Sequence, residues 1–121
     1  MEALPDGGIV ASFINGAVRL SEQEEMARLL RKKSKFVIAF GSCSHLGGVP
    51  GLANLWDRQS IFQWYYHKAP SVAEGGSQEP REKIEVPEGT LELPTFRDAV
   101  KSLDQVIDVD YYLPGCPPTP K

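Results

Sequence analysis

Three short apolar runs punctuate this chain: residues 8–14 (Gly-Ile-Val-Ala-Ser-Phe-Ile), 35–40 (Lys-Phe-Val-Ile-Ala-Phe) and 107–113 (Ile-Asp-Val-Asp-Tyr-Tyr-Leu). Each is short for a helix, rich in β-branched or aromatic residues and bounded by turn formers, so each reads as a strand. Asn15-Gly16 closes the first run with a turn. Ser21, with Glu24 three residues later, predicts a capping box and a helix starting near Glu22. Met26, Leu29 and Leu30 are the expected inward face. Glu22, Glu24 and Glu25 come first and Arg28, Arg31, Lys32 and Lys33 follow, an order that suits the helix dipole, and Glu24 with Arg28 is a favourable pair. A charge run of this kind reads as a solvated face. Strand, helix and strand in that order predict a right-handed parallel crossover, and the chain as a whole an α/β fold.

The second half is less regular. Helical spacing returns over residues 52–66, where Trp56, Phe62, Trp64, Tyr65 and Tyr66 make the segment unusually aromatic. These side chains fill a core or form an interface; spacing alone leaves both open. Residues 68–94 carry Ala69-Pro70, Glu74-Gly75-Gly76, Glu79-Pro80, Val86-Pro87-Glu88-Gly89 and Leu93-Pro94, and read as one long irregular segment. A compact domain keeps such a segment for a partner or a site. A short helix is expected over 95–103, with Phe96, Val100 and Leu103 inward, before the last strand.

With 121 residues the chain is one domain, 1–121. Its formal charge of −3 and its pI near 5.4 give no basic stripe for phosphates, which argues against nucleic acid. No apolar stretch approaches the roughly 20 residues of a membrane span. The N-terminus lacks the basic, apolar and small-residue pattern of a signal peptide. A cytoplasmic setting is therefore expected, where two cysteines are thiols or metal ligands more often than a disulfide.

Those cysteines sit in tight Gly/Pro loops directly behind two of the strands. Cys43 lies in Phe40-Gly41-Ser42-Cys43-Ser44-His45-Leu46-Gly47-Gly48-Val49-Pro50-Gly51, and Cys116 in Tyr112-Leu113-Pro114-Gly115-Cys116-Pro117-Pro118-Thr119-Pro120. Open α/β sheets place ligand sites at the C-terminal ends of their strands, which is where both loops would fall. Glycines let the backbone approach a bulky anion, prolines stiffen it, and a thiolate in such a loop suits an iron–sulfur cluster. Cys43 as a small buried hydrophobe and Cys116 as an incidental thiol is the bland reading, and the matched loops weigh against it. Zinc is disfavoured because no paired short-range ligands occur. His45, two residues from Cys43, reads as a surface or neighbouring group rather than a ligand, and His67 has no evident partner. Residues 41–48 are not a phosphate loop, since no Lys-Ser/Thr follows and the G-x-G-x-x-G spacing is missing.

Gly41-Ser42-Cys43 with Gly47-Gly48, followed far downstream by Pro114-Gly115-Cys116-Pro117-Pro118, resembles the cluster-binding core of [NiFe] hydrogenase small subunits. The related 20 kDa subunit of respiratory complex I shares this signature. Asn15-Gly16-Ala17-Val18-Arg19, Gly47-Gly48-Val49-Pro50-Gly51-Leu52-Ala53-Asn54 and Asp108-Val109-Asp110-Tyr111-Tyr112 are most similar to the methyl-viologen-reducing type. The resemblance implies a flavodoxin-like open parallel sheet with flanking helices, here incomplete. It implies a [4Fe–4S] cluster with Cys43 and Cys116 as the third and fourth iron ligands, and with Gly41, Ser42, Gly47, Gly48, Gly115 and Pro117 around it. It also implies electron transfer between a hydrogen-splitting large subunit and an iron–sulfur or flavin acceptor subunit, with the hydrogen-activating site elsewhere. The family's first two ligands, a C-x-x-C pair, have no counterpart here. The chain is therefore expected to be an internal piece, truncated at both ends, that does not retain a cluster alone. A cluster-free docking module and a complex-I-like or membrane-bound hydrogenase assembly are the alternatives.

Overall fold

The computed structural model describes residues 3–73 and 78–119. In chain order the elements are β1 (Ile9–Asn15), β2 (Val18–Leu20), α1 (Ser21–Lys33), β3 (Ser34–Phe40), α2 (Ser42–Leu46) and α3 (Gly48–Gly51). A 3-10 turn (Leu52–Leu55), α4 (Arg58–Gln63) and a π turn (Trp64–Lys68) follow. Then come β4 (Lys83–Val86), β5 (Gly89–Glu92), β6 (Phe96–Lys101), a 3-10 turn (Leu103–Gln105) and β7 (Tyr111–Leu113).

The three expected strands form one parallel sheet, ordered β1-β3-β7 with β3 in the middle. Ala11 pairs with Phe36 and Ile14 with Ala39, while Ile38 pairs with Tyr111 and Phe40 with Leu113. The α/β architecture is thus as read from the sequence. The core gathers Val37 and Ala39 of β3 with Val18, Ala27, Leu103, Val106 and Ile107, and Ile14 and Val109 pack against it. The last strand is shorter than 107–113, because Ile107 is spent in the core rather than in the ladder.

Helix α1 forms where expected, but its start is built differently. Gln23 Oε1 accepts N–H bonds from Arg19 (2.9 Å) and Leu20 (3.0 Å), so Gln23 takes the role assigned to Glu24. Ser21 Oγ instead accepts from Thr95 N–H (3.0 Å), tying the helix to the approach of β6. Glu24 bonds Arg28 (2.9 Å) as expected and also meets Arg97 (3.4 Å). The buried residue of the inward face is Ala27, whereas Met26 is exposed and Leu29 and Leu30 are half-buried. A small residue lets the helix axis lie close to the sheet.

Three expectations are corrected. Residues 96–101 are a strand, not a helix: β6 pairs antiparallel with β2, and the Arg19 guanidinium bonds Arg97 O and Asp98 O (both 3.1 Å) over the Phe96 ring. Phe96 and Val100 are four apart, which fits one strand face as well as one helix face. The 52–66 segment is broken at Trp56, which is extended, and Asp57 caps α4 by accepting from Ser60 N–H (2.7 Å). Within 68–94, β4 and β5 form an antiparallel hairpin closed at Val86 and Gly89. Glu74-Gly75-Gly76, Met1, Pro120 and Lys121 lie outside the described residues.

Candidate functional site

Both cysteine loops leave the same end of the sheet, Cys43 after β3 and Cys116 after β7. They are joined by backbone hydrogen bonds: Gly41 N–H donates to Leu113 O and Ser42 N–H to Gly115 O, both at 2.8 Å. Standard backbone dimensions then hold the two cysteine Cα atoms within about 11 Å of each other. Both thiols are free, Cys43 half-buried and Cys116 exposed.

Glycine is demanded at two positions by contact. Gly48 has φ at +52°, and a Cβ there would come within 2.9 Å of both Cα and Sγ of Cys43. Gly115 has φ at +133°, and a Cβ there would meet Pro118 Cα at 2.6 Å. The Cys116–Pro117 peptide is cis. Gly41 caps α2 and Gly47 ends it, with Gly47 N–H donating to Cys43 O (3.0 Å). The N–H groups of Gly41, Ser42 and Gly47 are therefore taken up by protein carbonyls.

Around the thiols, and along the strands that lead to them, the structure adds groups that spacing did not reveal. His45 packs against Tyr112 (ring centroids 4.7 Å apart, planes tilted by 43°). Among the described residues, its Nδ1 and the Ser44 Oγ are buried without a partner. Burial first, then the nearby Asp104 carboxylate, raises the Tyr112 phenol above its usual range. Asn54 clamps the loop after Cys43 onto β6: its Nδ2 donates to Val100 O (2.9 Å) and its Oδ1 accepts from Val100 N–H (2.7 Å). Asp110 bonds the N–H of Val37 (2.7 Å) and Arg31 (2.6 Å). The motif ends Leu-Ala-Asn and Asp-Val-Asp carried these residues, but nothing in their spacing assigns a bonding partner.

The donor set that the fold assembles is two thiols. Among the described residues no group of three or more His, Cys, Asp or Glu side chains is placed to hold a metal ion. A [4Fe–4S] cluster takes four thiolates. These residues fit half of its ligand set, and the full set is not met by them alone.

Residues 3–121 match the family described as NADH ubiquinone oxidoreductase, 20 Kd subunit, and the chain belongs to that family. It is 42% identical over 118 residues to the iron-sulfur subunit of the F420-non-reducing hydrogenase of Archaeoglobus profundus, covering 98% of this chain and 37% of that protein. It is 29% identical over 107 residues to the delta subunit of the NAD-reducing hydrogenase HoxS of Cupriavidus necator, covering 88% of this chain and 47% of that one. A crystal structure of NAD+-reducing [NiFe]-hydrogenase in the H2-reduced state matches with a TM-score of 0.76 and 30% identity, over 91% of this chain and 57% of the other. The chain thus spans little more than a third of the length of the Archaeoglobus relative.

Proposed function

We propose that this chain is the portion of a [NiFe] hydrogenase small subunit that contributes Cys43 and Cys116 to a proximal [4Fe–4S] cluster, in the path from a hydrogen-splitting large subunit to an iron–sulfur or flavin acceptor subunit. The observation that carries this reading is the hydrogen-bonded pair of cysteine loops at the ends of adjacent parallel strands. A bound cluster would supply a one-electron carrier, its potential set by burial and by hydrogen bonding to sulfur. The chain's own part is to hold two thiolates on one sheet edge. Gly48 leaves space beside Cys43 Sγ, and Gly115 lets the second loop's backbone pass close to Pro117 and Pro118. The other two ligands have to come from cysteines outside this sequence, which contains two.

The surface beside Cys43 supports docking of a further subunit. Residues 41–56 contain no Lys, Arg, Asp or Glu, yet Leu46, Val49, Leu52, Leu55 and Trp56 are all exposed. Interface cores are depleted in charge in this way, and an exposed apolar run marks a contact surface. Trp56, Ile61, Trp64 and Tyr65 line an adjoining groove of about 600 Å³. A cluster-free docking module would use the same surface. No helix among the described residues is long and apolar enough to cross a membrane. We place the parent assembly in the cytoplasm, where the two thiols stay reduced.

The test is reconstitution of the sequence extended at its N-terminus by a segment carrying C-x-x-C. A full iron and sulfide complement and a reduced-state paramagnetic resonance signal are expected, both lost in Cys43→Ala and in Cys116→Ala. A colourless extended protein that still binds a hydrogenase large subunit would establish the docking module instead. A full cluster in either alanine variant would overturn the ligand assignment.

A further inference from the structure

Arg31 and Asp110 form a clasp at the point where β7 begins. Arg31 Nη1 donates to Asp110 Oδ2 (2.6 Å) and Asp108 O (3.2 Å), and its Nη2 to Ser34 O (3.0 Å) and Lys35 O (2.9 Å). One guanidinium therefore ties the last turn of α1 to the start of β3 and to the run into β7. Asp110 completes the join. The same Oδ2 accepts from Val37 N–H (2.7 Å), while Asp110 N–H donates to Val37 O (2.9 Å). Both backbone groups of Val37, a fully buried residue at the centre of β3, are thus held by one residue. The Arg31 guanidinium, with the Val37 N–H, holds the Asp110 carboxyl below its usual range.

The consequence lies a few residues on. β7 is three residues long, pairs Ile38 with Tyr111 and Phe40 with Leu113, and then delivers Gly115 O to Ser42 N–H. A strand that short has little ladder of its own to fix its register, and a slip of one residue turns every side chain to the other face. We propose that Arg31 and Asp110 are positioning residues that set the register of β7 on β3 and so bring Cys116 to Cys43. The proposal rests on the reading of these two thiols as one ligand pair. A clasp that merely stabilises the end of α1 is the competing role, and it makes no claim on the distance between the thiols.

The 121-residue chain contains only these two cysteines, so any intramolecular thiol bridge reports on their approach. The probe is a short bis-methanethiosulfonate cross-linker, applied to the reduced chain, with bridged and unbridged forms resolved by mass. Asp110→Ala and Arg31→Ala should bridge about tenfold more slowly, as the effective concentration of one thiol at the other falls. Asp110→Asn, which keeps an acceptor for Val37 N–H, should recover most of the rate. Glu24→Ala removes a different α1 ion pair and should leave the rate unchanged, even where its melting temperature drops as far. If Asp110→Ala does not fold, Arg31→Lys carries the same test, because an ammonium does not span the four acceptors of the guanidinium fork. Folded variants that bridge at the parental rate would overturn the clasp and leave the ligand pair standing. Failure of the parent chain itself to bridge would overturn both.

Discussion

Gly48 and Gly16 share a left-handed backbone, with φ at +52° and +90°, but a Cβ at Gly16 meets nothing within 4 Å whereas one at Gly48 meets Cys43. Gly16→Ala should therefore cost about 1 kcal/mol, the backbone strain alone. Gly48→Ala adds a collision with Cys43 Cα and Sγ and should cost at least about 2 kcal/mol, since Cα is backbone and cannot swing aside as Sγ can. Urea denaturation of the two variants checks the difference, and equal losses would remove the contact argument. A second single-residue test concerns pH. Arg31 first, then the Val37 N–H, lowers the Asp110 pKa below its ordinary 3.8. A carboxyl lowered by folding stabilises fully above the ordinary value and loses that contribution as pH falls through the lowered one. The melting-temperature gap between the parent and Asp110→Asn should thus be widest near neutrality and close below pH 3.8. A gap unchanged down to pH about 2 would show that the Asp110 charge contributes nothing there.

At the scale of elements, β6 holds its neighbours through Asn54 as well as through β2. Asn54→Ala removes both bonds to Val100, leaving its N–H and C=O partly buried and unpaired, and should cost about 1–3 kcal/mol. Hydrogen exchange checks it: Val100 N–H should lose protection in the variant, while N–H groups in β3 keep theirs. Elements whose burial is one-sided or complete were legible in the sequence. β1 and β3 are short runs dominated by apolar residues, and α1 carries its charges in dipole order. β6 was not legible, because Phe96 and Val100 satisfy the helical and extended periods together, and what decides is pairing with β2 and Arg19. The β4–β5 hairpin was hidden for a different reason. Lys83-Ile84-Glu85-Val86 does alternate polar and apolar residues, but the run is only four long and stands among Pro80, Pro87 and Pro94, which read as loop.

For the molecule as a whole, the site's thiols were legible because glycine and proline mark loops chemically, whereas Asn54, Arg31 and Asp110 act through partners 46 to 79 positions away, which no local pattern encodes. Burial has a similar long-range element. One face of the sheet packs Val37 and Ala39 into the core, while the opposite face presents Phe13, Phe36, Tyr111 and Leu113 to solvent. Phe13 lies against Phe40 (6.2 Å) and Phe36 against Tyr111 (6.1 Å), so the face carries two aromatic pairs. Parallel sheets are normally covered on both sides, and a surface of this size seldom stays free in water. The isolated chain should therefore associate, with its net charge of only −3 offering little repulsion. Burying one such aromatic contributes about 1.5–3 kcal/mol, so Phe36→Lys should weaken association by about tenfold or more. Because Phe36 is 44% exposed, the substitution should leave the fold intact by circular dichroism. Sedimentation equilibrium across a concentration series reads the outcome. A parent chain that stays monomeric at high concentration, or a Phe36→Lys variant that associates as strongly as the parent, would show that this face is not the one that binds.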